Sequence, residues 1–254
     1  MRAIENRLSQ IRDLMELGLL SRDFETILAM HFSRWIRPGD WVIDVGANVG
    51  VHLERFVSLA GSTGRVFAFE PLPDHYADLR QRFSAANVVV ENFALSHMEG
   101  TSSFTHAEGS PGESGLRTRI FNNPDSARPT IITAQTRKLD QYLPQFDRVN
   151  FIKIDIEGGE IDCLKGSLGT IAAHRPVISV EYGRPSYSVY GNTTFTLFDL
   201  VASIDYVLYD IFMNRLADRQ DWGVACDSIY WDYFMVPVEK ECEFIERVRS
   251  GVNV

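Results

Sequence analysis

Apolar positions along this chain recur with a helical period, break into short strand-like runs, and return to the helical period several times. Residues 2–20 place Ile4, Leu8, Ile11, Met15 and Leu19 close to a helical repeat, with Arg and Glu between them. Phe24, Ile27, Leu28, Phe32 and Trp35 predict a second helix over about residues 22–35, which Arg37-Pro38-Gly39-Asp40 ends. Trp41, Val42, Ile43 and Val45 then read as a short buried strand. Leu53, Phe56, Val57 and Ala60 predict a helix closed by Gly61-Ser62-Thr63-Gly64, and the strand from Arg65 to Glu70 follows. Tyr76, Leu79 and Phe83 mark the next helix and Val88 to Val90 the next strand. The alternation resumes at residues 149–156, VNFIKIDI, followed by a helix carrying Ile161, Leu164 and Leu168, a strand over 176–182, and a helix from Thr194 with Phe195, Phe198 and Val201 on one stripe. A strand pair at 206–211 and 228–236 and a charged helix over 239–249 complete the chain. Strands alternating with helices predict an α/β fold.

The region from Met98 to Lys138 breaks that rhythm. Its Gly109-Ser110-Pro111-Gly112-Glu113-Ser114-Gly115 run and Asn122-Asn123-Pro124-Asp125 turn are too polar for a core, and short strands are expected only at 102–105 and 130–136. We therefore expect a helical extension over 1–39, which caps the site, covers the sheet or forms a dimer contact. A catalytic domain over 40–238 carries an irregular insertion at 98–138 on its substrate edge, and a terminal helix and tail occupy 239–254.

Candidate chemistry gathers at strand ends. Asp44 closes the first strand, and Gly46, Asn48 and Gly50 follow at alternate positions before a helix. Gly46 suits a tight turn and Gly50 a close backbone approach, so a cofactor would rest against the loop and the helix N-terminus. Glu70 ends the second strand, where a carboxylate accepts hydrogen bonds from adjacent ribose hydroxyls. The loop lacks the glycine spacing that admits a pyrophosphate, and the acidic Asp44 beside it suits a cationic or zwitterionic ligand. S-adenosylmethionine fits these features better than NAD. Asn92 is a candidate for adenine or cofactor hydroxyls and Phe93 for packing on the ring, with loop capping and core packing as the plainer roles.

Asp155, Glu157 and Glu160 crowd one strand end beside Lys153, an odd set for a pure core because buried charges need partners. Asp155 is the first candidate for orienting a substrate hydroxyl, and it also stands against the cofactor; Glu157 is the second candidate and Glu181 the third. Helix capping is the structural alternative for Glu157 and Glu160. A hard cation such as magnesium would suit Asp155 and other oxygens, but the spacing supplies no complete ligand set and a metal is not the favoured reading. Arg117 and Arg119 are candidates for an anionic substrate, and Tyr182, Tyr187 and Tyr190 for a sugar or aromatic pocket. His52 falls in the first turn after the glycine loop, where it can face the pocket.

With 254 residues and a net charge of -9, the chain suits one large α/β domain and opposes a broad nucleic-acid footprint. Arg2, Glu5, Arg7, Arg12 and Asp13 interrupt any N-terminal apolar core, and no run is long enough to span a bilayer, so a cytoplasmic protein is expected. Cys163, Cys226 and Cys242 have no paired metal spacing and read as free thiols.

Taken together and in order, VIDVGANVG, VFAFEP, NFAL, KLD, FIKIDIEGGE and ISVEYG resemble the FkbM-type family of S-adenosylmethionine-dependent methyltransferases over roughly residues 40–236. The resemblance implies a Rossmann-like class I methyltransferase fold with a seven-stranded sheet, six strands parallel and the last antiparallel. It implies O-methylation of a small molecule, sugar, polyketide or glycan component. It assigns Asp44, Gly46, Asn48 and Gly50 to the cofactor loop, Glu70 to the ribose, and Asp155 with Glu157 to the mouth of the active site. An N- or C-methyltransferase, an NAD-dependent oxidoreductase and a non-catalytic binding protein are the competing readings.

Overall fold

The computed structural model describes residues 2–21 and 24–250. Two helices, α1 (Ala3–Glu16) and α2 (Glu25–Trp35), precede β1 (Trp41–Val45). The expected start of the second helix near Arg22 lies outside the described residues. The chain continues through α3 (Val51–Ala60), β2 (Arg65–Phe69), α4 (Pro73–Arg82), β3 (Val88–Glu91), β4 (Ala94–Leu95), β5 (Gly100–Ala107) and β6 (Pro129–Arg137). Beyond them lie β7 (Phe151–Ile154), β8 (Val177–Glu181), β9 (Tyr206–Asp210), β10 (Arg215–Leu216) and β11 (Asp232–Pro237).

The main sheet has the order β10-β9-β11-β8-β7-β1-β2-β3. β1 pairs in parallel with β2 and β7, and the parallel run extends to β3 on one side and β8 on the other. β11 is antiparallel to both β8 and β9, so β9 points the same way as the five parallel strands. This gives the expected seven strands, six in one direction and the last reversed. A two-residue edge strand, β10, adds an eighth by folding back on β9. Asp210 makes that turn: its carboxylate accepts from the Phe212 and Asn214 amides and from the Tyr230 hydroxyl.

Central strands covered on both faces read as unbroken apolar runs. β1 and β7 are buried along their whole length, yet they carry Asp44 and Lys153, which face each other in register. The order reverses between β1 and β7, because β2 and β3 build outward on one side and β8 on the other. The carboxyl ends of β1 and β7 therefore lie at the switch point of the sheet, the usual ligand position in such folds.

α2 packs into the core. Its Phe32 ring lies 5.3 Å from both Phe56 and Phe151, and its His31 Nε2 is 2.8 Å from the Ile211 carbonyl oxygen. α1 buries Ile4 and Leu8 and ties its start to Asp218 and Asp221 through Arg2. The insertion is more regular than its composition suggests. β5 and β6 pair in continuous antiparallel register from Gly100 opposite Thr136 to Ala107 opposite Pro129, with β4 alongside β6. Phe104 and Ala134 pack with Leu72 in a small separate core that fastens this sheet beside the crevice. The three cysteines are free. Among the described residues, no helix is long and apolar enough to cross a membrane.

Candidate active site

A cleft of about 390 Å³ opens at the carboxyl ends of β2, β1, β7 and β8. Its first wall is the loop after β1. Gly46 has φ +83° and Asn48 φ +49°, a left-handed pair that turns the chain sharply before α3. A Cβ on Gly46 would stand 2.1 Å from the Asp155 carbonyl oxygen, so this glycine lets the loops of β1 and β7 touch. Gly50 serves a different contact from the one expected. At φ +86°, its missing Cβ would meet Leu79 Cδ2 at 2.6 Å, so it seats α4 against α3 and does not border the cleft.

Glu70 stands opposite this loop, nearly buried. One carboxylate oxygen accepts from the Asn48 amide at 2.7 Å and the other from the Leu72 amide at 2.8 Å. Each oxygen keeps a further lone pair for a ligand donor. Burial pushes this carboxyl up to about 7, against the two amide bonds that favour its charge. Asn92 braces the same turn, its side-chain amide donating to the Glu70 and Pro71 carbonyls, and it stands behind the wall. Phe93 reaches the cleft while its ring packs 5.3 Å from Phe69. Asp44 is buried beneath the floor, and neither of its carboxylate oxygens has a hydrogen-bond partner. The side-chain oxygen of Asn48 is likewise buried and unpartnered. Unfilled acceptors beside a cleft of this size suit a cofactor carrying hydroxyl and ammonium donors.

The far wall is acidic. Lys153 Nζ donates to Asp155 Oδ2 at 2.8 Å, and the ammonium is buried while Asp155 is about one-third exposed, at 36 %. Burial opposes the charge on Asp155, but the Lys153 ammonium and a hydrogen bond from Glu181 outweigh it and lower its pKa. Burial and the Asp155 charge push the Glu181 carboxyl well up. Glu157, at φ +59°, accepts from Ser186 Oγ at 3.0 Å and forms a buried ion pair with Arg119. Burial and the Asp155 charge raise its pKa, and the guanidinium pulls the other way. One oxygen each from Asp155, Glu157 and Glu181 lies within 4.8 Å of the others, an arrangement open to a metal ion. Glu160, by contrast, turns inward and accepts the Ile156 and Gly158 amides at the start of the helix Glu160–Lys165. Asp140 of the KLD run does the same for Gly169 and Thr170.

The proposed substrate residues scatter. Arg119 is consumed by Glu157, since a buried guanidinium needs a counter-charge. Arg117 donates to the Val189 carbonyl and stacks 5.0 Å above Tyr190, outside the cleft. Tyr182 and Tyr187 stack at 4.4 Å in the core, with their hydroxyls bound to the Thr193 carbonyl and Asp227. Packing of these flat rings removes both from the cleft. Glu25 of α2 was not foreseen there. It reaches the wall with His52, whose Nε2 lies 3.2 Å from its carboxylate. Its only sequence signal is a carboxylate in the first turn of a helix otherwise read as cover.

Arg119→Met is expected to destabilise the fold by about 3–5 kcal/mol, because the Glu157 carboxylate is left buried and unpaired. Urea unfolding reads this as a lower midpoint, and Arg119→Met with Glu157→Gln should recover much of it. Equal midpoints for wild type and the single variant would show that the pair contributes nothing.

The FkbM methyltransferase domain model matches residues 44–208. Methyltransferase 1 of Beauveria bassiana is 24% identical over 148 residues, which are 51% of this chain and 59% of that protein. Hexuronic acid methyltransferase AglP of Haloferax volcanii is 28% identical over 143 residues, 55% of this chain and 54% of its own length. This chain thus spans less than two thirds of these relatives. The crystal structure of methyltransferase FkbM from Methylobacillus flagellatus superimposes with a TM-score of 0.48 at 18% identity, covering 78% of this chain and 43% of that one.

Proposed function

We propose, from the premise that this chain belongs to the FkbM methyltransferase family, that it transfers a methyl group from S-adenosylmethionine to a hydroxyl of a small polyhydroxylated molecule. The observation that carries this reading is the buried Glu70 carboxylate, fixed by two backbone amides at the end of β2 with lone pairs left toward the cleft. The residues fit the cofactor: Glu70 for the ribose hydroxyls, Asn48 and the Gly46 turn for the adjoining chain, and Phe93 with Leu72 as an apolar wall.

Bound S-adenosylmethionine supplies a sulfonium methyl, which the acceptor oxygen takes in line as the sulfur–carbon bond breaks. Asp155 accepts the hydrogen bond of the acceptor hydroxyl, and Lys153 and Glu181 hold that carboxylate in place. As the oxygen forms its bond to carbon it gains positive charge, and its proton becomes acidic enough for even a stabilised carboxylate to take. The cleft contributes by positioning the acceptor oxygen against the methyl group.

The test is calorimetric titration with S-adenosylmethionine, S-adenosylhomocysteine and NADH between pH 6 and 8. Hydroxyl donors favour the ionised Glu70, so affinity for the first two ligands should rise through pH 7 and flatten in Glu70→Gln. Stability of the free protein runs the other way. A raised pKa means that the folded chain keeps a proton the unfolded chain has lost, so this contribution declines from about pH 4.5 to 7. Binding of NADH, or of neither adenosine sulfur compound, would refute the proposal.

A further inference from the structure

The cleft has two chemically different halves. Glu70 ends β2, whereas Glu181 ends β8, three strand spacings away across β1 and β7, or about 14 Å. The half around β7 and β8 is lined by Glu25, Asp155, Glu157 and Glu181, contributed by three separate segments. Among the described residues, the basic side chains at this wall each have an acidic partner: Lys153 on Asp155, Arg119 on Glu157 and His52 on Glu25. Arg117 points elsewhere. Asp232, in register with Glu181 on the neighbouring strand, adds a further carboxylate behind the wall. Among the described residues, an acceptor carrying a carboxylate therefore meets carboxyl groups and no uncommitted base, whereas an ammonium meets carboxyl oxygens from three segments.

We infer that the acceptor is an amino-bearing polyol whose ammonium group docks against Glu181 and Asp155 and so presents a neighbouring hydroxyl for methylation. This rests on the methyltransferase reading above and names its substrate class. The contacts favour an ammonium over a dication. Lys153 already occupies Asp155 Oδ2 and Arg119 occupies Glu157 Oε2, so two of the three candidate metal ligands carry a protein cation. An ammonium has three donors for the remaining oxygens. Held protonated between carboxylates, its nitrogen has no lone pair to attack with, which leaves the hydroxyl as nucleophile.

The experiment titrates glucosamine, glucose and glucuronate, one ring with three charges, into protein saturated with S-adenosylhomocysteine and into the free protein at pH 7. Glucosamine should bind at least 10-fold more tightly than glucose and lose that preference in Glu181→Gln, while glucuronate shows no heat. Preference for glucose or glucuronate, absence of glucosamine binding, or an unchanged preference in Glu181→Gln overturns the inference. So does magnesium chloride that blocks the amine, or methyl transfer to nitrogen. Failure of S-adenosylhomocysteine to bind refutes the methyltransferase reading instead, and the titrations of free protein then decide the amine preference alone.

Discussion

Asp155→Asn is expected to lower methyl transfer by ~10²- to 10⁴-fold while S-adenosylmethionine affinity stays within about threefold. The substitution keeps the shape of the side chain and removes its ability to accept a proton. Its carboxylate is the one group on the acidic wall that is partly open to the cleft, charged, and oriented from both sides. Lys153 fixes one oxygen at 2.8 Å and Glu181 donates to the carboxylate. Lys153 would lose its main counter-charge, with Asp44 and Asp232 left nearby, so the unfolding midpoint must be measured with the rate. A variant that stays folded, binds cofactor and turns over like wild type would remove Asp155 from the chemistry. In that event Glu157 is a poor substitute, because Arg119 and Ser186 already hold it.

Gly46→Ala is expected to abolish cofactor binding and to cost stability well beyond the ordinary effect of a left-handed alanine. Gly191→Ala supplies the control. Gly191 is also left-handed, at φ +78° and ψ +10°, but a Cβ there meets nothing within 4 Å, so only the backbone strain of about 1–2 kcal/mol applies. At Gly46 the added carbon falls 2.1 Å from the Asp155 carbonyl oxygen and 2.9 Å from Ile156 Cγ2. The loops after β1 and β7 must separate, which moves Asn48 away from Glu70 and Asp155 away from the acceptor. Thermal unfolding and S-adenosylmethionine titration of both variants isolate this contact. Equal losses at the two glycines would show that the loop contact does not matter.

Local pattern carried the strands and helices because their burial repeats at short range. Trp41–Val45, Arg65–Phe69 and Val177–Glu181 are apolar runs bounded by turn residues, and each lies within a residue or two of its expected place. The same held for Glu70, since a carboxylate ending an apolar strand can be read without knowing its neighbours. The insertion was less legible: most outer positions of β5 and β6 are polar and exposed, so their long pairing left a sparse apolar signal, Phe104 and Ala107 on one strand and Ile131, Ile132 and Ala134 on the other.

What the sequence determined by itself is the order of strands and helices, the glycine turn and the carboxylates at strand ends, because each depends on residues close along the chain. Tertiary structure alone decided which charges meet. Arg119 and Glu157 are 38 residues apart and Glu25 and His52 lie on different helices, yet each pair closes in space. Tyr182 and Tyr187 carry the right chemistry for a pocket, but stacking and two buried hydroxyl bonds turn them inward. Side-chain direction and charge pairing are set by long-range packing, and so the division of the cleft into a cofactor half and an acidic half emerged only when β2, β1, β7 and β8 were brought side by side.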